Sequence, residues 1–246
     1  MADSFYAPGA QRAEKVNALF AAIASRYDVI NDVQSFGLHR WWKRRLIRLA
    51  RVQSGDRALD VCCGTGDLAF ALAGQGARVT GLDFSEPMLK VASARREKLA
   101  GKIDRAGEVN PRFVHGDALH LPFPDESFEI VTVAYGLRNL ADWGAGLREM
   151  RRVACRGGRL LVLEFGKPGI ALWRGLYFGY LRMIVPVWGQ LFCGNAAAYA
   201  YILESLREYP AQHGVAARMK EMGLGEVRVL NLLGGVMSIH CAKKPT

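Results

Sequence analysis

A glycine turn after an apolar run is the first place in this sequence where a ligand could bind. Residues 59–67 read LDVCCGTGD. Glycine at positions 64 and 66 lets the backbone turn sharply and come close to a ligand, and a helix that starts there offers free N–H groups. Asp83 ends the next apolar run, where its carboxylate could bind both hydroxyls of an adenosine ribose. The pattern predicts an adenosine site that includes Gly64, Thr65, Gly66, Asp83 and Phe84.

Two cofactors contain that ribose, and the acidic residues near the turn bear on the choice. The turn followed by Ala69 fits the relaxed dinucleotide pattern G-x-G-x-x-G/A, with Asp83 near the place of its ribose-binding acid, which favours an NAD-dependent oxidoreductase. Asp60 precedes the glycines, however, and Asp117 and Ala118 follow a third apolar run. Carboxylates attract a sulfonium and an ammonium group and repel a pyrophosphate. These acidic residues favour S-adenosylmethionine, bound by Asp60, Asp117 and Ala118. A third interpretation is a glycine turn that binds no ligand.

The elements that must position these residues alternate between apolar runs and amphipathic segments, which is typical of a parallel sheet built from βαβ units. Strands are predicted at 58–63, 78–84, 112–115, 128–134 and 159–165. Helices are predicted at 85–99, capped by Ser85, and at 142–154, capped by Asp142 and ended by the glycines at 157 and 158. Two apolar runs within 226–242, joined at 234–235, predict an antiparallel hairpin that completes the sheet.

Two segments lie outside this alternation. Before residue 55 the apolar spacing predicts a helical cap that contains a basic helix around 41–51. From 169 to 192 the chain is very apolar, but Arg174, Arg182 and Pro186 interrupt it, so we do not expect a membrane span. This segment is a helix packed on the sheet or a lid over a hydrophobic substrate. A single domain, 1–246, is expected, with an N-terminal cap (1–54), a donor-binding core (55–168), a lid (169–225) and a hairpin (226–246).

The composition is that of a folded soluble protein. The 246 residues are 50% hydrophobic and 23% charged, which excludes disordered and collagen-like classes. A net charge of +10 favours an anionic partner, which is nucleic acid, an anionic membrane surface or a phosphorylated ligand. Five cysteines without a C-x-x-C pair indicate neither a disulfide framework nor a zinc site. With no secretory signal at the start, we expect a cytoplasmic protein without a metal.

Several blocks of the sequence resemble one enzyme family. The glycine turn, 81–89 (GLDFSEPML), 116–129 (GDALHLPFPDESFE) and 157–165 (GGRLLVLEF) resemble class I S-adenosylmethionine-dependent methyltransferases. Residues 27–32 (YDVIND), with Ser35, Gly37, His39, Arg40 and Trp42, are similar to the N-terminal signature of the ubiquinone/menaquinone biosynthesis C-methyltransferases. Further blocks of that family are similar to 136–139 (GLRN), 164–168 (EFGKP) and 201–210 (YILESLREYP). The resemblance covers nearly the whole chain.

This resemblance implies a Rossmann-like α/β fold with a seven-stranded, mostly parallel sheet and a C-terminal antiparallel hairpin. It also implies methyl transfer from S-adenosylmethionine to a ring carbon of a polyprenylated hydroquinone, either demethylmenaquinol or the benzoquinol precursor of ubiquinol. Arg138 would stabilise the oxyanion, Asn139 would orient the second oxygen or a water, and Tyr27 or His39 would take the proton. The lipid substrate implies peripheral attachment to the inner face of the cytoplasmic membrane.

The chain departs from the family pattern at three places. Ala134 stands where the family usually has a serine that touches the donor, and backbone atoms there are still expected to hold it. Cys155 and Arg156 replace a usual Lys-Pro pair, and Gly166 replaces a small hydroxylated residue. These changes leave the donor site intact but admit a divergent member of the family.

Plainer interpretations of the same residues stay open. Arg138 and Asn139 could cap the helix that begins near Asp142, and His39 could simply pack beside two tryptophans. The basic run beside those tryptophans either faces anionic headgroups or is a solvated helix face; it comprises Arg40, Lys43, Arg44, Arg45, Arg48 and Arg51. A nucleic-acid methyltransferase is disfavoured, because no N/D-P-P-Y/F motif follows the fourth strand, and a non-catalytic adenosine-binding module is another alternative. A homodimer is also considered.

Overall fold

A seven-stranded sheet forms the centre of the computed structural model, which describes residues 10–100, 110–193, 202–206 and 209–246. The strands are β1 (Arg57–Val61), β2 (Arg78–Asp83), β3 (Arg112–His115), β4 (Phe128–Ala134), β5 (Ala154–Phe165), β6 (Gly225–Leu232) and β7 (Met237–Lys243). Their order is β3-β2-β1-β4-β5-β7-β6, and only the pairs β5–β7 and β6–β7 are antiparallel. The predicted fold class, with its C-terminal hairpin, is confirmed.

The strand order explains where a ligand can bind. Strands β1, β2 and β4 are parallel neighbours, so their carboxyl ends meet at one edge of the sheet. The chain order reverses at β1, where ligands of open α/β sheets usually bind. This edge carries Asp83 at the end of β2 and Tyr135 just after β4. The glycine turn follows β1 at the same edge.

Helices cover both faces of the sheet. They are α1 (Ala10–Ile23), α2 (Tyr27–Ser35), α3 (Leu38–Ala50), α4 (Asp67–Ala73), α5 (Glu86–Ala100), α6 (Trp143–Val153), α7 (Ala171–Cys193) and α8 (Ala211–Glu221). Buried residues of α3 and α4 pack with one face of the sheet, and those of α6, α7 and α8 pack with the other. Leu160 and Leu161, adjacent in β5, therefore belong to opposite cores. The central strands β1 and β4 are buried on both faces and are apolar nearly throughout, whereas the edge strands β3 and β6 are partly exposed.

Two details of the predicted elements are wrong. Helix α6 starts after Asp142, whose carboxylate accepts a hydrogen bond from the Ala145 N–H, but it ends at Val153 without the glycines. Gly157 and Gly158 lie instead within β5, where the pairing with β4 shifts register. The segment after α1, which the sequence placed only within the helical cap, forms helix α2. Residues 1–9 and Tyr201, which entered the predictions, lie outside the described residues.

Helix α7 runs without interruption through Pro186 and packs mainly against α2. The Tyr180 hydroxyl donates a hydrogen bond to the Gln34 carbonyl at 2.8 Å, and the Trp173 Nε1–H donates to the Leu233 carbonyl at 2.9 Å. Of the helices that the structure describes, none combines the length and the apolar character needed to cross a membrane. The apolar segment is thus one long helix placed beside the N-terminal cap.

Candidate functional site

Two cavities lie next to each other between the carboxyl edge of the sheet and the N-terminal helices. The larger cavity has a volume of about 430 Å³ and the smaller cavity one of about 120 Å³. Phe20, Tyr27 and Tyr135 line both of them. These three aromatic side chains therefore form the wall across which a group could pass from one cavity to the other.

The larger cavity contains most of the residues predicted to bind the donor. Its lining includes Gly64, Asp83, Phe84, Asp117, Ala118 and Ala134. The two oxygens of Asp83 accept hydrogen bonds from the N–H groups of Gly64 (2.7 Å) and Ser85 (2.8 Å), which fix the carboxylate at the cavity wall. Burial raises the pKa of Asp83, and those backbone N–H groups oppose the shift. The arrangement suits a carboxylate that binds ribose hydroxyls.

The charge of the larger cavity distinguishes the two cofactors. Among the described lining residues the charged side chains are Asp83 and Asp117, both acidic, and no basic side chain is present. A pyrophosphate would be repelled there, whereas a sulfonium and an ammonium group would be attracted. The buried Ser85 hydroxyl, expected to cap α5, lines this cavity and has no hydrogen-bond partner among the described residues. The cavity therefore fits S-adenosylmethionine. The Ser85 hydroxyl could donate a hydrogen bond to it.

Three residues predicted at the donor site are absent from the described wall of the larger cavity. Asp60 is buried, its Oδ1 accepts a hydrogen bond from the Thr132 hydroxyl at 2.9 Å, and burial raises its pKa to about 7. The Thr65 hydroxyl donates to an oxygen of Asp28 in α2 at 2.9 Å. Gly66 adopts φ +84, and a Cβ there would lie 2.8 Å from the Phe113 ring. Thr65 and Gly66 thus stabilise the glycine turn, and Asp60 stabilises strand β1, which leads into it.

The cap is attached to this turn at two points. One is the Thr65–Asp28 hydrogen bond just described. The other is the ion pair between Lys43 of α3 and Asp67 at the start of α4, with Nζ 2.9 Å from Oδ2, which Arg95 completes from α5. Although burial opposes it, these cations lower the pKa of Asp67 to about 2. The N-terminal helices are thus part of the site.

The smaller cavity holds three of the four predicted catalytic residues, namely Tyr27, His39 and Arg138. Asn139 lines the larger cavity instead, and its Nδ2 donates a hydrogen bond to the Tyr135 carbonyl at 3.2 Å. Arg138 and Asn139 lie in a short 3₁₀ turn, and Asp142 itself caps α6, so their predicted alternative as caps is wrong. Gly136 just before them is required, because a Cβ there would lie 2.4 Å from the Cys62 Cβ.

Arg138 is held by a buried ion pair. Its Nη1 donates to Glu164 Oε1 at 2.6 Å and to the Tyr135 carbonyl at 2.7 Å, and the guanidinium lies 4.5 Å from the centre of the Phe165 ring. The Arg138 side chain is 5% exposed and that of Glu164 is fully buried. The chemistry of Arg138 is therefore that of a cation in a fixed orientation whose charge is partly balanced.

His39 is oriented by a carboxylate in the same way. Its Nε2 lies 2.8 Å from Asp32 Oδ1, and Arg40 binds the same carboxylate. The hydrogen bond from Arg40 lowers the pKa of Asp32, whereas burial lowers that of His39. A neutral imidazole that donates from Nε2 to an ionised carboxylate has its lone pair on Nδ1. Nδ1 has no partner among the described residues, so it can accept a proton.

Tyr27, the other predicted proton acceptor, keeps its proton instead of accepting one. Burial is the main cause that raises the pKa of Tyr27, so its hydroxyl stays protonated near neutral pH. Tyr27 can donate a hydrogen bond to a ligand oxygen but is a poor base. Of these two side chains, His39 is the one with a ring nitrogen that has no partner among the described residues.

Sequence reasoning missed several polar residues of the smaller cavity. Gln34, Tyr135 and Tyr177 line it together with Trp42, which the sequence had placed beside the basic run expected at anionic headgroups. Tyr135 immediately follows β4 and precedes the GLRN block, a position that could have pointed to it. Gln34 and Tyr177 belong to α2 and α7, and no local pattern indicates that these helices meet.

A family model decides the affiliation of the chain. The model of the ubiE/COQ5 methyltransferase family matches residues 9–244. The chain belongs to this family. It is thus an S-adenosylmethionine-dependent methyltransferase, as predicted, and the oxidoreductase alternative is wrong.

Similar proteins agree with this assignment. The ubiquinone/menaquinone biosynthesis C-methyltransferase of Azotobacter vinelandii is 42% identical over 241 residues, which are 97% of this methyltransferase and 93% of the relative. The demethylmenaquinone methyltransferase of Listeria monocytogenes is 41% identical over 230 residues, 92% and 94% of the two chains. A solved S-adenosylmethionine-dependent methyltransferase from Aquifex aeolicus has a TM-score of 0.61 at 17% identity and covers 91% of this chain and 97% of its own. That likeness shows the shared fold.

The buried ion pair makes a prediction about stability. Glu164→Gln leaves the Arg138 guanidinium buried without its counter-charge, so we expect the free energy of unfolding to fall by about 3 kcal/mol. Urea denaturation followed by circular dichroism measures this change. Glu129→Gln is the matched control, because it removes an ion pair whose partner Arg57 is half exposed, and its effect should stay below about 1 kcal/mol. Equal losses in the two variants would contradict the importance of the buried pair.

Proposed function

We propose that this methyltransferase adds a methyl group to a ring carbon of a polyprenylated hydroquinone, demethylmenaquinol or the methoxy-benzoquinol precursor of ubiquinol. The observation that carries the proposal is the smaller cavity, which is aromatic, adjoins the donor site and contains unsatisfied polar groups. The relatives described above are named for methylation in ubiquinone and menaquinone biosynthesis and for methylation of demethylmenaquinone. Their high coverage of this chain supports the same substrate class.

The unsatisfied groups indicate what the smaller cavity binds. Several buried polar atoms of its lining residues have no hydrogen-bond partner among the described residues; they include Asn31 Nδ2, Gln34 Nε2, His39 Nδ1, Trp42 Nε1, Tyr135 OH and Tyr177 OH. A buried polar group without a partner typically costs about 1–3 kcal/mol. Such a concentration in one aromatic cavity is expected where a flat, apolar ligand with hydroxyl or carbonyl oxygens completes the hydrogen bonds. A hydroquinone ring has this chemistry.

The residues of the cavity can also direct electrons to the reacting carbon. S-adenosylmethionine supplies an electrophilic methyl group when it is bound. A ring carbon becomes nucleophilic when the hydroxyl beside it loses its proton, and His39 Nδ1 can take that proton while Asp32 stabilises the resulting imidazolium. Arg138 then balances the charge of the oxyanion, and Tyr27 can donate to a ring oxygen from the wall shared by the two cavities. When the ring carbon takes the methyl group, the methyl–sulfur bond breaks and its electron pair stays on sulfur. That carbon then loses its hydrogen as a proton to water, and the imidazolium of His39 returns its proton to the ring oxygen, which restores the aromatic hydroquinone. Burial of the cavity excludes the water that would compete for the methyl group.

A membrane surface is part of the proposal, because a polyprenylated substrate resides in a bilayer. The net charge of +10 supports attraction to anionic lipid. Helix α3 contributes less than its sequence indicated, since Trp42 is buried and Lys43 and Arg40 are paired with acids of this chain. Arg44, Arg45 and Arg48 remain exposed on it, as does Arg51 just after its end.

The substrate assignment predicts a product. Incubation with labelled S-adenosylmethionine and either demethylmenaquinol or methoxy-polyprenyl-benzoquinol should yield a methylated quinol, detected by mass spectrometry. The reduced ring should react and the oxidised quinone should not, because only the hydroxyl form can lose a proton to activate the carbon. Donor binding without a methylated product from any quinol would favour the binding-module alternative, and methylation of an oligonucleotide would favour the nucleic-acid one.

The His39–Asp32 pair predicts a pH dependence. His39 must be neutral to act as a base, so turnover should fall as the pH drops through its pKa, which burial places below the ordinary 6.5. His39→Gln should lower kcat by about 10²-fold or more and abolish this acidic limb of the profile. Asp32→Asn should also lower kcat, because an amide no longer fixes the tautomer.

Two comparisons make this test specific. Arg40→Gln leaves the Asp32 carboxylate in place and should have a much smaller effect on kcat. Donor affinity, measured by calorimetry, should change little in all three variants, since none of these residues lines the described part of the larger cavity. An unchanged acidic limb in His39→Gln would exclude His39 as the base.

Variants of Arg138 should lose turnover without losing affinity for the methyl donor. Arg138→Ala should abolish turnover and leave donor affinity nearly intact, because Arg138 lines only the smaller cavity. The variant also leaves Glu164 without its cation, so Arg138→Lys, which keeps the charge but not the planar fork, is the better-folded companion. We expect at least a tenfold loss of kcat in Arg138→Lys. An equal loss of donor affinity in calorimetry would overturn the assignment.

A further inference from the structure

Helix α7 exposes an apolar face that a protein in water would not normally keep. Leu172, Leu176, Met183 and Val187 follow one another along one side of the helix and are 76%, 59%, 65% and 53% exposed. A helix that is apolar on its outer side as well as on its inner side is usually covered by another surface. We call these four residues the α7 face.

The inner side of the same helix belongs to the smaller cavity. Tyr177, Leu181 and Val185 are buried and line that cavity. The α7 face is thus separated from the proposed substrate ring by about one helix diameter, ~10 Å. Whatever covers the face lies across the helix from the smaller cavity.

Phe36 extends the α7 face across the neighbouring turn. Its side chain is 74% exposed, and its ring lies 6.5 Å from that of Tyr180 in α7. The residue adopts φ +51, a left-handed conformation that is unfavourable for a bulky side chain. A large aromatic residue held outward in this way between α2 and α3 is suited to insertion into an apolar phase.

The charges around the α7 face indicate which surface covers it. Between residues 169 and 193 the charged residues are Arg174 and Arg182, both exposed, and the segment contains no acid. Of the two, Arg182 borders the α7 face, next to Met183. Arg174 is two residues from Leu172 and from Leu176 and lies on another side of the helix. A second copy docked on the same face would bring Arg182 towards its own equivalent, whereas an anionic lipid surface complements it. Apolar side chains flanked by arginine are the composition of a helix that lies in the interface of a bilayer.

We propose that the α7 face, together with Phe36, inserts into the headgroup boundary of an anionic bilayer and places the smaller cavity beside the membrane. The inference rests on the proposed function, because the polyprenylated substrate gives the contact its purpose. It assigns membrane binding mainly to α7, whereas the sequence pointed to the basic helix α3. Arg182, together with the positive net charge of the chain, then contributes the part of the binding that depends on salt.

Vesicle co-sedimentation tests this docking surface. The full-length protein should bind phosphatidylcholine vesicles that contain phosphatidylglycerol, more weakly at high salt, and bind pure phosphatidylcholine poorly. Leu176→Glu combined with Met183→Glu should reduce binding to the anionic vesicles by about tenfold or more, because two charges must enter the interface. Leu99→Glu combined with Val229→Glu is the matched control, since it adds the same charge at partly exposed apolar sites on α5 and β6.

Three further measurements separate the outcomes. Circular dichroism and donor affinity should be unchanged in both double variants, because neither touches the larger cavity. Equal vesicle binding by the two double variants would overturn the proposal. Light scattering provides a second way to overturn it. If the parent protein is a dimer without lipid, and the α7 variant is a monomer that still binds vesicles normally, a second copy rather than lipid covers the face.

Activity on a quinol without a prenyl tail distinguishes this proposal from the proposed function. Both double variants should methylate such a soluble quinol as well as the parent protein does. If the protein methylates a quinol but the α7 variant binds vesicles as well as the parent does, the docking surface alone is overturned. Vesicle binding that depends on α7, without methylation of any quinol, would overturn the proposed function and leave the docking surface in place.

Discussion

The buried ion pair between Arg138 and Glu164 is the interaction on which the geometry of the site depends. It joins the turn after β4 to β5, and Arg138 also binds the carbonyl of Tyr135, which lies in the wall between the two cavities. One residue later, Asn139 lines the donor side. Because the pair is excluded from water, its orientation is maintained strongly, and loss of either partner leaves a charge that cannot be solvated. Two consecutive side chains can therefore serve two different ligands from one rigid turn.

The N-terminal helices complete the site, since the sheet by itself provides only half of it. The core supplies the acidic donor cavity, whereas the cap supplies Tyr27, His39 and the carboxylate that orients His39. The contacts of Asp28 with Thr65 and of Lys43 with Asp67 connect the cap to the glycine turn and the helix after it. Donor binding at the turn and substrate binding under the cap are consequently linked through short polar contacts. Under the proposed function, the core would hold the methyl donor and supply Arg138, and the cap would supply the base that activates the acceptor.

Helix α7 extends the same reasoning to the membrane. A hydroquinone with a polyprenyl tail must place its ring in a polar, water-excluded cavity while its tail stays in an apolar phase. A helix that is apolar on both sides meets these two demands, because one side lines the cavity and the other can contact lipid. This arrangement also explains why a segment too interrupted to span a bilayer is nonetheless so apolar. Under the proposed docking, the positive charge of the chain would help to bring this face to an anionic surface.

The sequence by itself determined the order of strands and helices, the fold class and the donor turn, because apolar periodicity and glycine turns are local properties. It also indicated Asp83, Asp117, Arg138 and His39, which lie in blocks with a recognisable pattern. It did not determine that Asp60 is buried against Thr132, that Arg138 is paired with Glu164, or that Asn139 belongs to the donor cavity. It also did not place Gln34 and Tyr177 in one cavity, since they come from helices far apart in the chain. Those facts depend on which elements pack together, and burial and pairing, which set the charge and the proton affinity of each group, exist only in the tertiary structure.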